Sequence, residues 1–347
     1  MIFKDLGLHP DIVASISEIG FEQPSPIQAE VIPYVLNHQD DIVGLAQTGT
    51  GKTAAFGLPM LHLTDVKRTV TQALVLAPTR ELCVQIASEL RKYSSKMPQI
   101  RIVAVYGGED IRKQLKELDK TPQILVATPG RLIDLMNRGK VNLSQVNYLV
   151  LDEADEMLNM GFVDDITEIL EQTPDTRRTL LFSATMPQEI ANIAKNYMRN
   201  AHEIAVGKRG EAAQNVEHYF VLTKNTLRYE VLKRLLDYYP DIYGIVFCRT
   251  RMETKEIAEK LMIDGYNADA LHGDLSQPQR DSVMNKFRIK HLQILVATDV
   301  AARGLDVNDL THVIHYVLPD DKETYTHRSG RTGRVNKQGM SIALVTP

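Results

Sequence analysis

Short apolar runs alternate with longer segments of mixed polarity along most of the chain. The runs are rich in valine, isoleucine and leucine and show little alternation, which is typical of strands buried on both faces of a parallel sheet. Four of them are ALVLAP (73–78), QILVAT (123–128), NYLVLD (147–152) and TLLFSAT (179–185). The segments between them carry helical spacing with a polar face. The pattern predicts an α/β, doubly wound fold.

Three segments of the first half recur in the same order, at nearly constant spacing, in the second half. The matching pairs are LAPTR with FCRTR (76–80 and 247–251), YGGED with LHGDL (106–110 and 271–275), and QILVAT with itself (123–128 and 293–298). Ordered matches of this kind indicate a duplication. The stretch at 207–215 is polar and has linker composition. We therefore expect domains at about 1–206 and 216–347.

Composition supports two globular domains. The chain has 347 residues, of which 44% are hydrophobic and 24% charged, whereas single cores stop growing near roughly 250–300 residues. Wholesale disorder is excluded. There is no apolar run of about 18 residues and no secretory signal at the N-terminus, so we expect neither a membrane protein nor an exported one.

Charge and cysteine content exclude further classes of protein. The net charge of −4 argues against a generally basic coat for nucleic acid but leaves room for a local basic groove. The only cysteines, Cys83 and Cys248, are far apart and form no metal-binding or disulfide pattern. A reducing cytoplasm is the expected location.

The strongest chemical signal is AQTGTGKT at 46–53, between an apolar segment and a helical one. Glycines in a strand-to-helix turn allow backbone N–H groups to surround a phosphate. Ala46 stands where the usual pattern has glycine, and this leaves the cradle intact. Lys52 would reach the β and γ phosphates, and the Thr53 hydroxyl would hold Mg²⁺. The expected nucleotide contacts in this loop are Thr48, Gly49, Thr50, Gly51, Lys52 and Thr53.

Carboxylates follow another buried run, in VLDEAD at 150–155. Open α/β sheets bind ligands at the carboxyl ends of their strands, so Asp152 and Glu153 would point towards the site that holds Lys52. Asp152 would bind Mg²⁺ through water, and Glu153 would deprotonate the attacking water. The alternative is that these acids only stabilise the start of a helix.

A cationic segment, HRSGRTGR at 327–334, lies in the second half. Arg328, Arg331 and Arg334 are three residues apart, which places them on one side of a helical turn or curved loop. Such a row is commonly solvated surface. We expect instead that these arginines reach the γ phosphate from across an interdomain cleft, where they would complete an ATPase site.

Ten motifs in this order and spacing resemble the DEAD-box RNA helicases, and more closely the bacterial members, over essentially the whole chain. They are GFEQPSPIQ (20–28), AQTGTGKT, PTREL (78–82), GG (107–108), TPGR (128–131), DEAD (152–155), SAT (183–185), VFCRTR (246–251), ATDVAARGLD (297–306) and HRSGRTGR. The resemblance implies two tandem RecA-like domains, each a parallel sheet flanked by helices, with ATP and Mg²⁺ as cofactors.

The resemblance also implies how the nucleotide is recognised. Gln28 would hydrogen-bond the adenine edge and Phe21 would stack on the ring, supported by Phe3, which predicts ATP over GTP. In the second domain, Asp306 would touch the ribose and Gly304 would approach the phosphates. The residues implied to couple hydrolysis to RNA release, by bonding to the DEAD acids, are Ser183 and Thr185, with His327 as a partner across the cleft.

The RNA-binding residues implied by the resemblance fall in both copies of the repeat. They are Pro78, Thr79, Arg80, Gly108, Thr128 and Arg131 in the first domain, and Arg249, Thr250, Gly273, Arg280 and Thr298 in the second. Hydroxyls, glycine amides and arginines contact phosphate and sugar. The chain has no tryptophan and only 6% aromatic residues, so no stacking platform is evident. We expect binding that is indifferent to base sequence.

Some positions depart from the family pattern. Ser329 stands where many relatives have an apolar residue, and Cys248-Arg249 replaces the more usual Val-Asn, which makes the role of Arg249 less certain. The chain stops after an apparent last strand, so we expect a core fragment of a longer protein, acting as a monomer.

The expected activity is hydrolysis of ATP on binding RNA, used to unwind short duplexes locally or to remodel RNA–protein complexes. One alternative is an ATP-gated RNA clamp with little turnover, and another is a duplex-DNA translocase of the same superfamily. Intact Glu153, Arg331 and Arg334 favour the enzyme. The physiological RNA and the protein partners are not predictable from the sequence.

Overall fold

The computed structural model describes residues 1–47, 49–206, 215–302, 307, 309–333 and 337–346. The chain divides into two compact units, Met1–Arg209 and Gly210–Pro347. Each unit is built on one parallel sheet with helices packed against it, so the predicted α/β class is confirmed. The predicted linker at 207–215 lies, apart from Asn215, outside the described residues, and its boundaries stay a prediction.

The sheet of the first unit has seven parallel strands in the order β3-β4-β2-β5-β6-β1-β7. They are β1 (Ile42–Leu45), β2 (Ala73–Leu76), β3 (Ile102–Val105), β4 (Ile124–Ala127), β5 (Tyr148–Leu151), β6 (Arg178–Ser183) and β7 (His202–Ala205). The apolar runs identified in the sequence form the central strands.

Nine α-helices of the described first unit surround this sheet. They are α1 (Pro10–Glu18), α2 (Pro26–Asn37), α3 (Lys52–His62), α4 (Arg80–Tyr93), α5 (Ile111–Leu118), α6 (Pro129–Asn137), α7 (Ala154–Asn159), α8 (Val163–Glu171) and α9 (Gln188–Tyr197). Successive residues of a strand enter different cores: Val75 joins one cluster, whereas Leu74 and Leu76 join another. Burial on both faces explains why the strands have no polar alternation.

The second unit has six parallel strands in the order β10-β11-β9-β12-β13-β8. They are β8 (Val216–Leu222), β9 (Gly244–Phe247), β10 (Ala268–Leu271), β11 (Ile294–Ala297), β12 (His312–His315) and β13 (Gly339–Val345). The α-helices of its described residues are α10 (Arg228–Tyr238), α11 (Arg251–Ile263), α12 (Gln277–Arg288), α13 (Asp299–Ala302) and α14 (Lys322–Ser329).

The two sheets repeat the same strand order. The run β3-β4-β2-β5-β6-β1 of the first unit corresponds to β10-β11-β9-β12-β13-β8 of the second. Equivalent threonines cap equivalent helices: Thr79 Oγ1 accepts from Leu82 N at 3.3 Å, and Thr250 Oγ1 accepts from Glu253 N at 3.1 Å. The internal repeat seen in the sequence is therefore a repeat of structure.

Within the part of the chain that the structure describes, no helix is both long enough and apolar enough to cross a bilayer.

Candidate nucleotide site and nucleic-acid interface

The carboxyl edge of the first sheet carries two groups of motifs. The strands β5, β6 and β1 are neighbours, and they are followed by the DEAD residues, the Ser-Ala-Thr segment and the glycine-rich loop. The strands β3, β4 and β2 are also neighbours, and they are followed by Gly108, Thr128 and Thr79. Strand order therefore gathers the predicted nucleotide residues on one half of the edge and the predicted RNA residues on the other.

The glycine-rich loop closes onto the start of α3. Gly51 caps that helix with φ +92°, and a Cβ on it would lie 2.4 Å from Gln28 Nε2, so only glycine fits there. Lys52 is 6% exposed, and its ammonium donates to the Ala46 carbonyl at 3.2 Å. The lysine thus folds back over the loop, and its contact with a phosphate stays a prediction. Thr50 Oγ1 donates to Gln47 O at 2.8 Å.

The N-terminus of α2 holds the same loop from the side. Ser25 Oγ donates to Thr50 O at 2.8 Å, and Gln28 Nε2 donates to Gly51 O at 3.1 Å. Gln28 Oε1 accepts from Ser25 N at 2.9 Å. Gln28, expected to read adenine, thus uses one of the four hydrogen-bonding valences of its amide to connect α2 with the phosphate loop and a second one to cap α2 at Ser25.

The predicted adenine-stacking residue belongs to an aromatic cluster. The Phe21 ring centroid lies 5.6 Å from that of Phe3 and 5.7 Å from that of Tyr93. Phe3 contacts Phe21, and the stacking of Phe21 on adenine stays a prediction. Tyr93, at the end of α4, was missed because nothing in its local sequence connects it with residues 72 positions earlier.

Asp152 and Glu153 stand directly after β5 and are both buried. Burial raises the pKa of Asp152 to about 7; the neighbouring Glu153 adds to this rise, and Lys52 opposes it. Asp152 Oδ1 accepts from Glu153 N at 3.0 Å. The carboxyl group therefore lies in an environment that disfavours its charge unless a cation is near.

The backbone of Glu153 is left-handed, with φ 49° and ψ 50°. This conformation is costly for a residue with a Cβ. Glu153 Oε2 is buried and has no hydrogen-bond partner within the described residues. A strained residue that carries an unsatisfied buried carboxylate is a candidate for a group that meets substrate or water.

The Ser-Ala-Thr segment after β6 binds the last acid of DEAD. Asp155 N donates to Ser183 Oγ at 3.3 Å, and Asp155 Oδ2 accepts from Thr185 N at 2.8 Å and from Thr185 Oγ1 at 2.8 Å. The two predicted coupling residues thus meet Asp155. That acid was not singled out in the sequence, although its place in the motif could have pointed to it.

The arginines of the second unit have different surroundings. The Arg328 side chain is 4% exposed, and its Nε and Nη2 lie 2.5 and 2.7 Å from the carboxylate oxygens of Asp299. Its Nη1 donates to Val317 O, and the guanidinium lies 5.0 Å from the centre of the Phe247 ring. The expectation that Arg328 reaches a phosphate is wrong, because this charge is already neutralised where α14 packs on its own sheet.

The other second-unit nucleotide residues are only partly described. Arg331 is buried in the turn after α14, and His327 is half-buried near the end of that helix. Four predicted site residues lie outside the described residues: Thr48, Gly304, Asp306 and Arg334.

The first-unit RNA residues converge on the loop after β3. The Arg80 guanidinium lies 5.0 Å from the centre of the Tyr106 ring, and its Nη1 donates to Gly108 O at 3.4 Å. Arg131 donates to Gln114 Oε1 at 2.8 Å and to Glu109 O at 3.2 Å. Gln114, a buried amide that orients Arg131, was missed because it lies outside every motif. Pro78 and Thr128 are buried at the ends of their strands.

The second unit presents the corresponding loops after β9, β10 and β11. Thr298 Oγ1 accepts from Ala301 N at 3.3 Å, and Arg280 donates to the carbonyl of Ala301 at 2.7 Å. Arg249 is exposed and donates to Asp320 Oδ1 at 2.7 Å. The next arginine, Arg251, follows Thr250 as Arg80 follows Thr79, although the motif comparison did not select it.

Two family models match the chain. The model described as DEAD/DEAH box helicase matches residues 25–193, and the model described as helicase conserved C-terminal domain matches residues 227–336. Each match falls within one of the two units.

Curated relatives match the chain along nearly its whole length. The chain is 47% identical to the DEAD-box ATP-dependent RNA helicase CshA of Geobacillus kaustophilus, over 99% of this chain and 73% of that protein. It is 49% identical to the ATP-dependent RNA helicase CshA of Listeria monocytogenes, over 99% of this chain and 66% of that protein. It is 47% identical to CshA of Bacillus cereus, over 99% of this chain and 65% of that protein. The chain thus spans 65 to 73% of the length of these relatives.

Solved structures are similar as well. Dbp5 of S. cerevisiae, bound to RNA and ADP BeF3, superposes with a TM-score of 0.90 at 31% identity, over 100% of this chain and 90% of that one. Mss116p bound to ssRNA and AMP-PNP gives a TM-score of 0.90 at 30% identity, over 99% of this chain and 74% of that one. A DEAD box protein of Methanococcus jannaschii is 46% identical with a TM-score of 0.59, over 100% of this chain and 93% of that one.

Proposed function

Because the chain belongs to the DEAD/DEAH box helicase family, we propose that it is an RNA-dependent ATPase that separates short RNA duplexes or remodels RNA–protein complexes. The observation that carries this proposal is the division of one sheet edge. A glycine-rich loop and acids follow β5, β6 and β1, and hydroxyls, a glycine and arginines follow the neighbouring strands β2, β3 and β4. Groups that suit ATP and groups that suit a sugar–phosphate backbone therefore share one rigid frame.

The hydrolytic roles follow from the chemistry of the first unit. Backbone N–H groups of the loop, with Lys52, bind the phosphates of ATP. Glu153 accepts a proton from the attacking water, for which its buried and unpartnered Oε2 is suited. Arg331 and Arg334 are assigned the stabilisation of charge that develops on the γ phosphate, a part that arginines play in phosphoryl transfer.

Asp152 and Thr53 fit a magnesium site. Burial raises the pKa of Asp152 to about 7, and an adjacent divalent cation would favour its ionised form. Mg²⁺ is commonly held by one or two carboxylates together with substrate phosphates and water, so this small donor set suffices. When bound, Mg²⁺ would neutralise charge on the phosphates.

RNA recognition is assigned to contacts with phosphate and sugar. The candidate residues are hydroxyls, glycine amides and arginines, which do not read base edges, so binding is independent of base sequence. RNA rather than DNA is proposed because Dbp5 and Mss116p were solved with RNA. The adenine contacts of Gln28 and Phe21, and the ribose and phosphate contacts of Asp306 and Gly304, belong to the same proposal.

We also propose that the core acts as a monomer in the cytoplasm. Both cysteines are free and buried, as suits a reducing compartment.

Phosphate release tests the activity. We expect single-stranded RNA to stimulate it strongly and DNA much less. Glu153→Gln should keep ATP and RNA binding yet slow turnover by about 10²–10⁴-fold, whereas Glu168→Gln, an exposed glutamate of α8, should behave as the wild type. Tight RNA binding with negligible turnover in the wild type would indicate a clamp instead. Equal stimulation by DNA would indicate a duplex-DNA translocase.

Strand displacement tests the mode of unwinding. Shifting a two-state protein from mostly one state to mostly the other requires about 5.5 kcal/mol, and duplex stacking averages roughly 1.4 kcal/mol per step in DNA. One ATP cycle can therefore disrupt only a few base pairs. We expect separation to fall steeply beyond about one helical turn, with no strict requirement for a tail of one polarity. Rates independent of duplex length, with strict polarity, would instead identify a translocating helicase.

A further inference from the structure

The first-unit arginine on the proposed RNA surface is paired with an acid. Arg80 Nη2 lies 3.8 Å from Glu109 Oε2, and Arg80 Nη1 donates to the carbonyl of Gly108, the preceding residue. Glu109 Oε1 also accepts from Lys113 Nζ at 3.1 Å. The hydrogen bond from Lys113, with a smaller contribution from Arg80, holds the pKa of Glu109 below its usual value. Glu109 is therefore an anion placed beside two cations that would suit a phosphate.

The second unit contains a pair of the same kind. Arg251 Nη1 donates to Asp274 Oδ1. The stem of Arg251 lies against Gly273, because a Cβ on that glycine would stand 3.6 Å from Arg251 Cδ. As in the first unit, the arginine contacts a glycine and pairs with the acid that directly follows this glycine in the chain.

The two pairs occupy equivalent positions of the structural repeat. Arg80 and Arg251 each begin a helix directly after its capping threonine, in the loops after β2 and β9. Glu109 and Asp274 follow the glycines in the loops after β3 and β10. In the first sheet β4 lies between β2 and β3, and in the second sheet β11 lies between β9 and β10. Each ion pair thus joins the loops on either side of an intervening strand.

Duplication of the pair argues against an accidental surface contact. The two acids differ in type, glutamate in one copy and aspartate in the other, and their neighbours differ as well. What is retained is an arginine, a glycine and an anion at equivalent positions of the repeat, on the face where the proposed function places RNA phosphates.

We propose that Glu109 and Asp274 act as internal competitors of RNA phosphates at Arg80 and Arg251, and that Arg251 is a phosphate-binding residue. This inference rests on the proposed RNA binding. Each carboxylate holds its arginine near the glycine until a phosphate replaces it. Bound RNA therefore meets oriented arginines, while the pairing lowers affinity for stray polyanions.

The exposure of one pair and the wider separation of the other make such an exchange feasible. The side chains of Arg251 and Asp274 are 64% and 59% exposed, and those of Arg80 and Glu109 are 19% and 24% exposed. The exposed pair of Arg251 with Asp274 is weak, and Arg80 and Glu109 are 3.8 Å apart, whereas arginine binds phosphate in a fork geometry that adds strength. A phosphate can therefore displace either carboxylate. Removing the charge of the carboxylate should strengthen RNA binding.

Equilibrium binding of a labelled single-stranded RNA, with a non-hydrolysable ATP analogue, tests the inference. The variants are Glu109→Gln, Asp274→Asn and the double variant. The matched control is Glu256→Gln, which removes one charge from an exposed pair with Lys260 on α11. We expect each test variant to bind RNA roughly two- to fivefold more tightly than the control at low salt. The dependence of log Kd on log salt should steepen by up to about 0.7 for each additional phosphate that the variant neutralises.

A second measurement shows whether the effect acts through the arginine. Asp274→Asn should lose its advantage when Arg251 is already changed to Gln, and Glu109→Gln should lose most of its advantage in an Arg80→Gln background. Thermal melting and ATP affinity should match those of the control. A change in folding alone would alter the melting temperature without altering the salt slope.

The outcomes are separable. Test variants that bind RNA no better than Glu256→Gln would overturn the competition. Weaker binding would show that the carboxylates serve RNA by orienting the arginines, and would also overturn it. A wild-type chain that binds no RNA would refute the proposed function itself.

Discussion

The hydroxyl of Thr185 donates a hydrogen bond to the carboxylate of Asp155, with 2.8 Å between Thr185 Oγ1 and Asp155 Oδ2. The two residues follow β6 and β5, which are neighbours in the first sheet. Asp155 lies two residues beyond Glu153, so the contact joins the Ser-Ala-Thr segment to the proposed catalytic acids. A change at the nucleotide could pass to the segment through this bond.

Thr185→Val should separate the two activities. The substitution removes the hydroxyl but keeps the backbone bond from Thr185 N to Asp155. Hydrogen bonds to charged groups contribute about 1.5–3 kcal/mol, so we expect strand separation to fall about tenfold while RNA-stimulated phosphate release changes little. The exposed Thr176→Val is the control. Parallel losses in both assays would show that Thr185 supports hydrolysis itself.

Gln28→Ala should weaken the binding of ATP more than the binding of GTP. If the remaining valences of the Gln28 amide meet the adenine edge, their loss costs about 1–3 kcal/mol for ATP alone. Ser25→Ala removes the neighbouring bond to Thr50 O and should weaken both nucleotides alike. Titration of each variant with ATP and GTP makes the comparison. Equal losses in Gln28→Ala would mean that Gln28 acts only through Gly51.

ATP binding in the presence of Mg²⁺ should depend on pH through Asp152. Its pKa of about 7 means that the carboxyl group is increasingly protonated as the pH falls below that value. Cation binding requires the ionised form, so affinity should fall by up to about tenfold per pH unit below 7 and level off above it. Asp152→Asn should bind weakly at every pH. A wild-type profile that stays flat between pH 6 and 8 would contradict this.

The same group makes the nucleotide-free protein sensitive to pH in the opposite sense. Because burial raises the pKa of Asp152 above its unfolded value, its contribution to stability is fully present below about pH 4 and is lost as pH rises through about 7. Asp152→Asn should therefore be more stable than the wild type at pH 8, by up to about 4 kcal/mol, with a smaller difference at pH 5. Denaturant unfolding at the two pH values measures it.

Arg328→Gln should destabilise the second unit. It leaves Asp299, whose side chain is 30% exposed, without the two short contacts to the guanidinium. Breaking this partly buried pair should cost about 1–3 kcal/mol, between the values for exposed and fully buried pairs. Arg249→Gln breaks an exposed pair with Asp320 and should cost about 1 kcal/mol at most. Urea unfolding compares the two. Equally small effects would indicate that Arg328 is not a structural residue.

Local pattern was sufficient to predict the fold class and the repeat. The central strands are buried on both faces, so each is a continuous apolar run that can be read without knowing its neighbours. The glycine-rich loop was predictable for a similar reason, because its turn, its lysine and its helix start are contiguous in the chain. The placement of Asp152 and Glu153 at the carboxyl end of a strand was predictable from the sequence, whereas the division of the sheet edge between nucleotide and RNA residues depends on the strand order.

The tertiary structure decided which side chains meet. Spacing alone grouped Arg328 with Arg331, yet Asp299, 29 positions earlier, neutralises Arg328. Gln28 contacts Gly51 because α2 packs against α3. Asp155 meets Thr185 because β5 and β6, which are separated in the chain, lie side by side in the sheet. Sequence spacing determines which face of an element a residue occupies, whereas its partner depends on which other strand ends at the same edge.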